Sequence, residues 1–328
     1  MHALGVDVGY GHTKALSSLR DRPLTFPSVV GRAETETYHL DLNGHARELL
    51  RGGVLMDAND EVYLYGEPAI RYARVVHQPR DRDWIRSQPY RVLWQAIVSE
   101  LVLPSTQPVI VTGLPVRYYS ADRVVLEDLV QHVLHARNLR PRAVTVVPQP
   151  FGSFFAHILD RNGQLAPERN PDAHLGIIDI GHFTTDFVEV YDCEHIEKGS
   201  GSLEVGIATV FDAVRRLADE RWGRTLNVSE CEAVVGGAPV RVKGQDHDLR
   251  EATQTYGAEV AMAITHYARQ LWGGGAALDE VLVTGGGGPL LIEFLRSAFS
   301  QLTLLSDAFV ANARGYMQYA LYRAQEVA

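Results

Sequence analysis

"LGVDVGYGHTK", Leu4 to Lys14, runs from a short apolar strand through an aspartate and a glycine-containing turn into a second strand that opens on His12. "IIDIGHFTTD", Ile177 to Asp186, repeats the device. Aligned without gaps, Asp7 falls on Asp179, Gly9 on Gly181 and Thr13 on Thr185, while Lys14 falls on Asp186. The flanking segments agree as well. "ALGVDVG", "HTKALSSL" and "LTFPSVVG" read as a three-strand meander, and "HLGIIDIG", "TTDFVEVYD" and "CEHIEKGSG" repeat it with similar turns. An internal duplication is the simplest explanation.

A glycine turn between antiparallel strands can aim several backbone N–H groups at one anion, because without a Cβ the chain approaches closely and reaches positive φ. Two such turns facing each other would grip a polyphosphate from both sides. Carboxylates at the strand ends do not bind phosphate, but they hold Mg²⁺, usually through its water shell. Asp7 and Asp179 are placed for that task, and Lys14 supplies a point charge for phosphate oxygens. "GYGHTK" lacks the third glycine of a dinucleotide fingerprint and opens a strand instead of a helix. A GxxxxGK[ST] loop is absent from the sequence. Either turn alone could be a plain hairpin with glycine in the bend; its recurrence at equivalent positions argues against that reading.

Between and after the meanders the pattern alternates. Helical periodicity runs through "SADRVVLEDLVQHVLHARNL", with Val124, Val125, Leu129, Val133 and Leu134 on one side and Ser120 or Asp122 as a cap. It returns in "GIATVFDAVRRLADERWG", "REATQTYGAEVAMAITHYARQLWGGG" and "DAFVANARGYMQYALYRAQEVA". "AVTVVPQP" and "EVLVTGGGG" are short apolar strands ending in sharp breakers. The sequence predicts an α/β protein of two duplicated sheet-plus-helix halves, each with an inserted subdomain. The first half spans 1–170, with an insert at about 32–100, and also takes the C-terminal helix 308–328. The second spans 171–307, with an insert at about 206–275.

At 328 residues the chain can support one large or two medium domains. Its 46% hydrophobic and 22% charged content is that of an ordinary globular protein. A formal charge of −9 argues against direct binding of nucleic acid through its phosphates. Cys193 and Cys231 lack framework spacing and predict free thiols in a reducing setting. The start lacks a basic and apolar leader, and no apolar run approaches the ~20 residues of a membrane span. The expectation is a soluble cytoplasmic protein with no membrane partner.

"DVGYGHTK" resembles the first phosphate loop of the actin, Hsp70 and sugar-kinase superfamily, "DIGHFTTD" its second, and "VLVTGGGG" its adenosine motif, in the same order. Within it, "YGEPAIRYA", "VVPQPFGSFFA" and "ANARGYMQYA" are similar to ParM/StbA-type bacterial actins that segregate plasmids, including protein D of plasmid PRTRC systems. The resemblance implies an actin-like two-lobed fold with ATP or ADP and Mg²⁺ in the cleft. Asp7 and Asp179 would hold the hydrated metal. Gly9, Tyr10, Gly11, His12, Thr13 and Lys14, with Gly181, His182, Phe183 and Thr184, would embrace the phosphates. Gly285, Gly286 and Gly287 would pass under the adenosine.

Gln149 in "VVPQP" occupies the position that orients the attacking water, where relatives place Glu or Gln. A neutral amide orients water without acting as a base, so slow hydrolysis is implied. His182 stands where many relatives have glycine, adding either bulk or a donor. The implied function is an actin-like ATPase that assembles into polar filaments of itself and moves plasmid DNA through a DNA-binding adaptor. A non-polymerising regulatory ATP-binding protein and a small-molecule kinase are the alternatives, since one fold serves all three. No kinase base beside a substrate pocket is evident, and the length leaves no room for a chaperone's peptide-binding domain.

Overall fold

Strand β1 (Ala3–Val8) pairs antiparallel with β2 (His12–Ser17), which pairs with β3 (Leu24–Pro27). These elements belong to a computed structural model that describes residues 1–33, 52–56, 61–78 and 82–326. The chain divides into two units, Met1–Arg169 with Asn312–Ala328, and Asn170–Ala311.

In the first unit the meander is followed by β4 (Val30–Arg32), β5 (Gly52–Met56), β6 (Val62–Gly66), α1 (Glu67–Tyr72), β7 (Val76–His77) and α2 (Gln88–Leu101). Then come β8 (Val109–Leu114), α3 (Val116–His135), β9 (Ala143–Pro148) and α4 (Phe151–Ile158). The main sheet has the order β3-β2-β1-β8-β9, and a smaller one has the order β5-β6-β4-β7. Strand β1 is central and flanked on both faces, so its apolar run is continuous instead of alternating. Leu4, Val6, Ile110 and Leu114 pack with α2 and α3, whereas Ala3, Val109 and Val111 form a separate core on the other face.

"LTFPSVVG" does not remain one strand. Its first half joins the main sheet and its second the smaller one. Pro27 has no N–H to continue the ladder, and Ser28 turns its own N–H to Gly11 O at 3.0 Å. The helix expected from Ser120 starts instead at Val116, where Pro115 O accepts the first helical N–H bonds from Tyr118 and Tyr119. Neither Ser120 nor Asp122 caps it. Asp122 is fully buried and accepts from Arg86 Nη2 at 2.6 Å. The buried stripe is Leu126, Val130, Val133 and Leu134, and Val124 is 53% exposed. Of the expected 32–100 insert, residues 34–51, 57–60 and 79–81 lie outside the described residues.

The second unit repeats the first. Strands β10 (Leu175–Ile180), β11 (Thr185–Tyr191) and β12 (Glu194–Leu203) form the meander. They are followed by α5 (Ala208–Trp222), α6 (Val228–Val235), β13 (Val240–Val242), β14 (Gln245–His247) and α7 (Arg250–Trp272). The unit ends with β15 (Glu280–Thr284), α8 (Gly288–Leu295) and β16 (Leu302–Leu304). Its sheet order, β12-β11-β10-β15-β16, matches the first sheet strand for strand. Asn227 and Glu230 form a capping box at α6. The polar run "RVKGQDHDLREATQ" contributes the β13–β14 hairpin, turned through Lys243 and Gly244, both at positive φ.

Helix α9 (Ala311–Glu326) returns to the first unit and lays Tyr316, Ala320 and Ala324 on the Ala3–Val109–Val111 core. Gly315 also lets α9 lie close against α4, since a methyl group there would meet Gly152 O at 1.7 Å. Among the described residues, no helix is long and apolar enough to cross a membrane.

Candidate functional site

In the first unit the Gly9–His12 turn is closed by a bond from Gly9 N–H to His12 O at 3.1 Å. Ser28 supports it from β3's end. Its hydroxyl donates to Gly9 O at 2.7 Å and lies 3.0 Å from Thr13 Oγ1, which is itself buried. Tyr10, Gly11 and His12 are half-buried.

The antiparallel register sets Asp7 opposite Lys14, and Lys14 Nζ lies 3.0 Å from Asp7 Oδ2. Both side chains are almost fully buried, so the pair interacts through less screening than a surface pair would. The other oxygen, Oδ1, accepts from Gln149 Nε2 at 2.9 Å. Gln149 is itself fixed through its backbone: its N–H donates to Leu114 O at 2.7 Å, and its carbonyl accepts from the Tyr316 hydroxyl at 2.7 Å and from Gly152 N–H at 3.1 Å. An ionised carboxylate only accepts, so the amide's NH₂ end must face Asp7. Its Oε1 is thereby the end left to accept from another donor.

The second turn has the same closure, with Gly181 N–H donating to Thr184 O at 2.9 Å. Asp179 lies buried at the end of β10, opposite Asp186 in the β10–β11 register. Thus the cross-strand partner that is a lysine in the first unit is a carboxylate in the second. Asp186 accepts from Ser202 and, at 3.4 Å, from Thr184 Oγ1. The turn carbonyls face α5: Ile207 N–H donates to Gly181 O at 3.1 Å and Ala208 N–H to His182 O at 2.8 Å. The His182 ring packs on Phe183 and Phe211, and burial pushes its imidazole down to about 4, leaving it neutral at pH 7. Phe183 is 37% exposed.

The glycine run after β15 packs on this same strand end. A methyl group on Gly285, which has φ +81°, would meet both Asp179 Oδ1 and Ile180 O at 2.4 Å. One on Gly287 would meet Ile180 Cγ2 at 2.5 Å. Gly286 differs, since its nearest neighbour would be Phe309 Cδ2 at 3.4 Å. Internal packing therefore accounts for glycine at 285 and 287 and leaves Gly286 unexplained.

The donor set suits a magnesium polyphosphate. A methyl group on Gly9 would crowd His12 O at 3.1 Å and would also lie 3.8 Å from Lys14 Nζ and 4.0 Å from Asp7 Oδ1, so the turn's own backbone favours glycine there and the ammonium and carboxylate stand beside it. No cluster of three or more His, Cys, Asp or Glu able to hold a metal occurs among the described residues.

Other candidates are accounted for locally. His132 and His135 are exposed on α3. Arg215 binds Asp212 at 2.6 Å and Leu226 O at 2.9 Å, and Arg216 is exposed. Cys193 and Cys231 are free thiols, one exposed and one buried. Ser28, Ser202 and Tyr316 hold the first turn, Asp186 and the Gln149 backbone respectively, but carried no signal in the sequence, because a supporting hydroxyl has no characteristic spacing from the group it holds.

Two sheets of identical order, each ending its central strand in a buried aspartate and a glycine turn, define an actin-like fold. Residues 5–152 match the N-terminal domain family of actin-like proteins, and residues 177–297 match the C-terminal domain family of MreB-like archaeal actin homologues. The chain belongs to the actin-like proteins. It is similar in fold to the chain of a 15-stranded ParM filament from Clostridium botulinum (23% identity, TM-score 0.81, covering 97% of this chain and 98% of that one). A non-polymerisable quadruple mutant of pCBH ParM is similar at 21% identity and TM-score 0.77, over 97% and 98% of the two chains. The archaeal actin homologue Ta0583 in complex with ADP is similar at 20% identity and TM-score 0.76, over the full length of both. No protein of curated function matches the chain significantly.

Proposed function

We propose that the protein is a slow, magnesium-dependent ATPase whose nucleotide state controls its assembly into polar filaments, and that these filaments move plasmid DNA through a DNA-binding adaptor. The observation that carries the reading is the pair of equivalent turns, Gly9–His12 beneath Asp7 and Gly181–Thr184 beneath Asp179. Solved relatives support it: one is a ParM filament and another holds ADP.

In this reading the turn amides, with Lys14, bind phosphate oxygens, and Asp7 and Asp179 hold the water shell of Mg²⁺. The metal, when bound, neutralises charge on the phosphates. Gln149, with its NH₂ end on Asp7, presents Oε1 to the attacking water and orients it without taking its proton. Positioning without a base accounts for slow turnover. Gly286 lies under the adenosine. Filament growth requires a head-to-tail interface that does not close on itself, and nucleotide hydrolysis weakens it. The net negative charge supports a reading in which DNA is contacted through the adaptor.

Calorimetry with ATP and Mg²⁺ tests the site. Saturable binding by the wild-type chain, with hydrolysis lost in folded Asp179→Ala, is expected; a folded chain that binds no nucleotide contradicts the reading.

A further inference from the structure

We infer that His182 is a positioning residue: its ring anchors the second turn to the first turn of α5 and so fixes the turn amides in the conformation that receives phosphate. The inference rests on the nucleotide reading for its consequence but on local geometry for the anchor itself.

Three contacts join turn and helix. Two are backbone bonds, from Ile207 N–H to Gly181 O at 3.1 Å and from Ala208 N–H to His182 O at 2.8 Å. They depend on Gly206, where a methyl group would stand 2.5 Å from His182 O. The third is the His182 ring, whose centroid lies 5.6 Å from that of Phe211 and 4.6 Å from that of Phe183. Phe211 is a buried core residue of α5, so the ring is held against a fixed surface. A glycine at 182 would keep the backbone bonds available but free the turn's φ and ψ, and the ordering of that segment would then oppose ligand binding.

The ring acts by packing and not as a cation. Burial disfavours its charged form, and the nearby Asp212 and Arg215 oppose each other in their effect on it. The duplication offers a parallel: the aligned position in the first turn is Tyr10, also a ring, which lies near buried Tyr90 of α2.

The test compares full-length wild type, His182→Gly and His182→Phe by hydrogen exchange at the Ile207 and Ala208 amides, and by calorimetry with ATP and Mg²⁺. His182→Gly should speed exchange at both amides by roughly tenfold or more. It should also weaken ATP by roughly tenfold. His182→Phe, which keeps a ring and removes both nitrogens, should stay within about threefold of wild type in both. Unchanged exchange in His182→Gly would overturn the anchor. A His182→Phe protein with wild-type exchange and ATP binding as weak as that of His182→Gly would instead overturn the positioning role, because the ring nitrogen would then be a phosphate donor. If the wild type binds no ATP, the nucleotide reading fails, and exchange still decides whether His182 anchors the turn.

Discussion

Gln149 Nε2 donates to Asp7 Oδ1 at 2.9 Å, joining residues 142 positions apart in sequence. The contact sets the amide's orientation and makes Asp7 both a candidate metal carboxylate and the group that aims Gln149. Gln149→Ala should therefore lower turnover by roughly 10- to 100-fold. Its ATP affinity should change by less than about threefold, since the lost interaction matters mainly in the transition state. Steady-state kinetics beside calorimetry separates the two quantities. An unaltered rate would assign the water to another residue.

The glycines after β15 should divide by role. Gly285→Ala places a methyl group against Asp179 and Ile180 at positive φ, and should cost on the order of 2–4 kcal/mol in denaturant unfolding. Gly286→Ala meets only Phe309 at 3.4 Å, and should leave stability within about 0.5 kcal/mol. If the adenosine passes over it, ATP binding should nevertheless weaken. Equal nucleotide affinity in wild type and Gly286→Ala would remove this glycine from the ligand site.

Arg86 and Asp122 should respond unequally to truncation. Asp122 is fully buried in α3, whereas the Arg86 side chain is 43% exposed and can rehydrate. Arg86→Ala removes the guanidinium from a buried carboxylate and should cost about 2–4 kcal/mol. Asp122→Leu removes the buried charge and should cost less. The reverse order, measured by urea unfolding, would show that the ion pair is not what holds Asp122.

The two halves could be read from sequence because the turn pattern is local: an aspartate, a glycine and a threonine at fixed spacing specify both strands and the bend. Strand β15 with Gly285 was legible for the same reason. What holds Gln149 was not, because its anchor Tyr316 is 167 residues away and recognises only a backbone oxygen. The start of α3 was misread because Asp122 resembles a helix cap, and nothing local reveals its distant partner Arg86. Val124 was placed on the buried face because hydrophobicity marks candidates for burial, while the direction of packing is set by α2 and the sheet.

Stability should fall on mild acidification. His2 is buried between Thr106 Oγ1 at 2.8 Å and Ser17 Oγ at 3.1 Å, and burial, together with the N-terminal amine, lowers its imidazole below the ordinary value. His182 is pushed down to about 4. The folded state favours both neutral rings, so this stability is present above the unfolded value of about 6.5 and is lost as pH falls from there toward the folded values. Each group contributes a slope of at most about 1.4 kcal/mol per pH unit. Urea unfolding between pH 7 and 5 should show the decline, and His2→Gln should flatten it. An identical slope in that variant would assign the effect elsewhere.

Nucleotide control of assembly is read by pelleting with Mg²⁺ and ATP, ADP or a slowly hydrolysed ATP analogue. The predicted result is sedimentation above a critical concentration with ATP and the analogue, weaker with ADP, and absent in Asp179→Ala. A chain that binds ATP yet stays monomeric, or stops at a closed dimer, in every nucleotide state at concentrations on the order of tens of micromolar would contradict the filament function and favour a regulatory nucleotide-binding role.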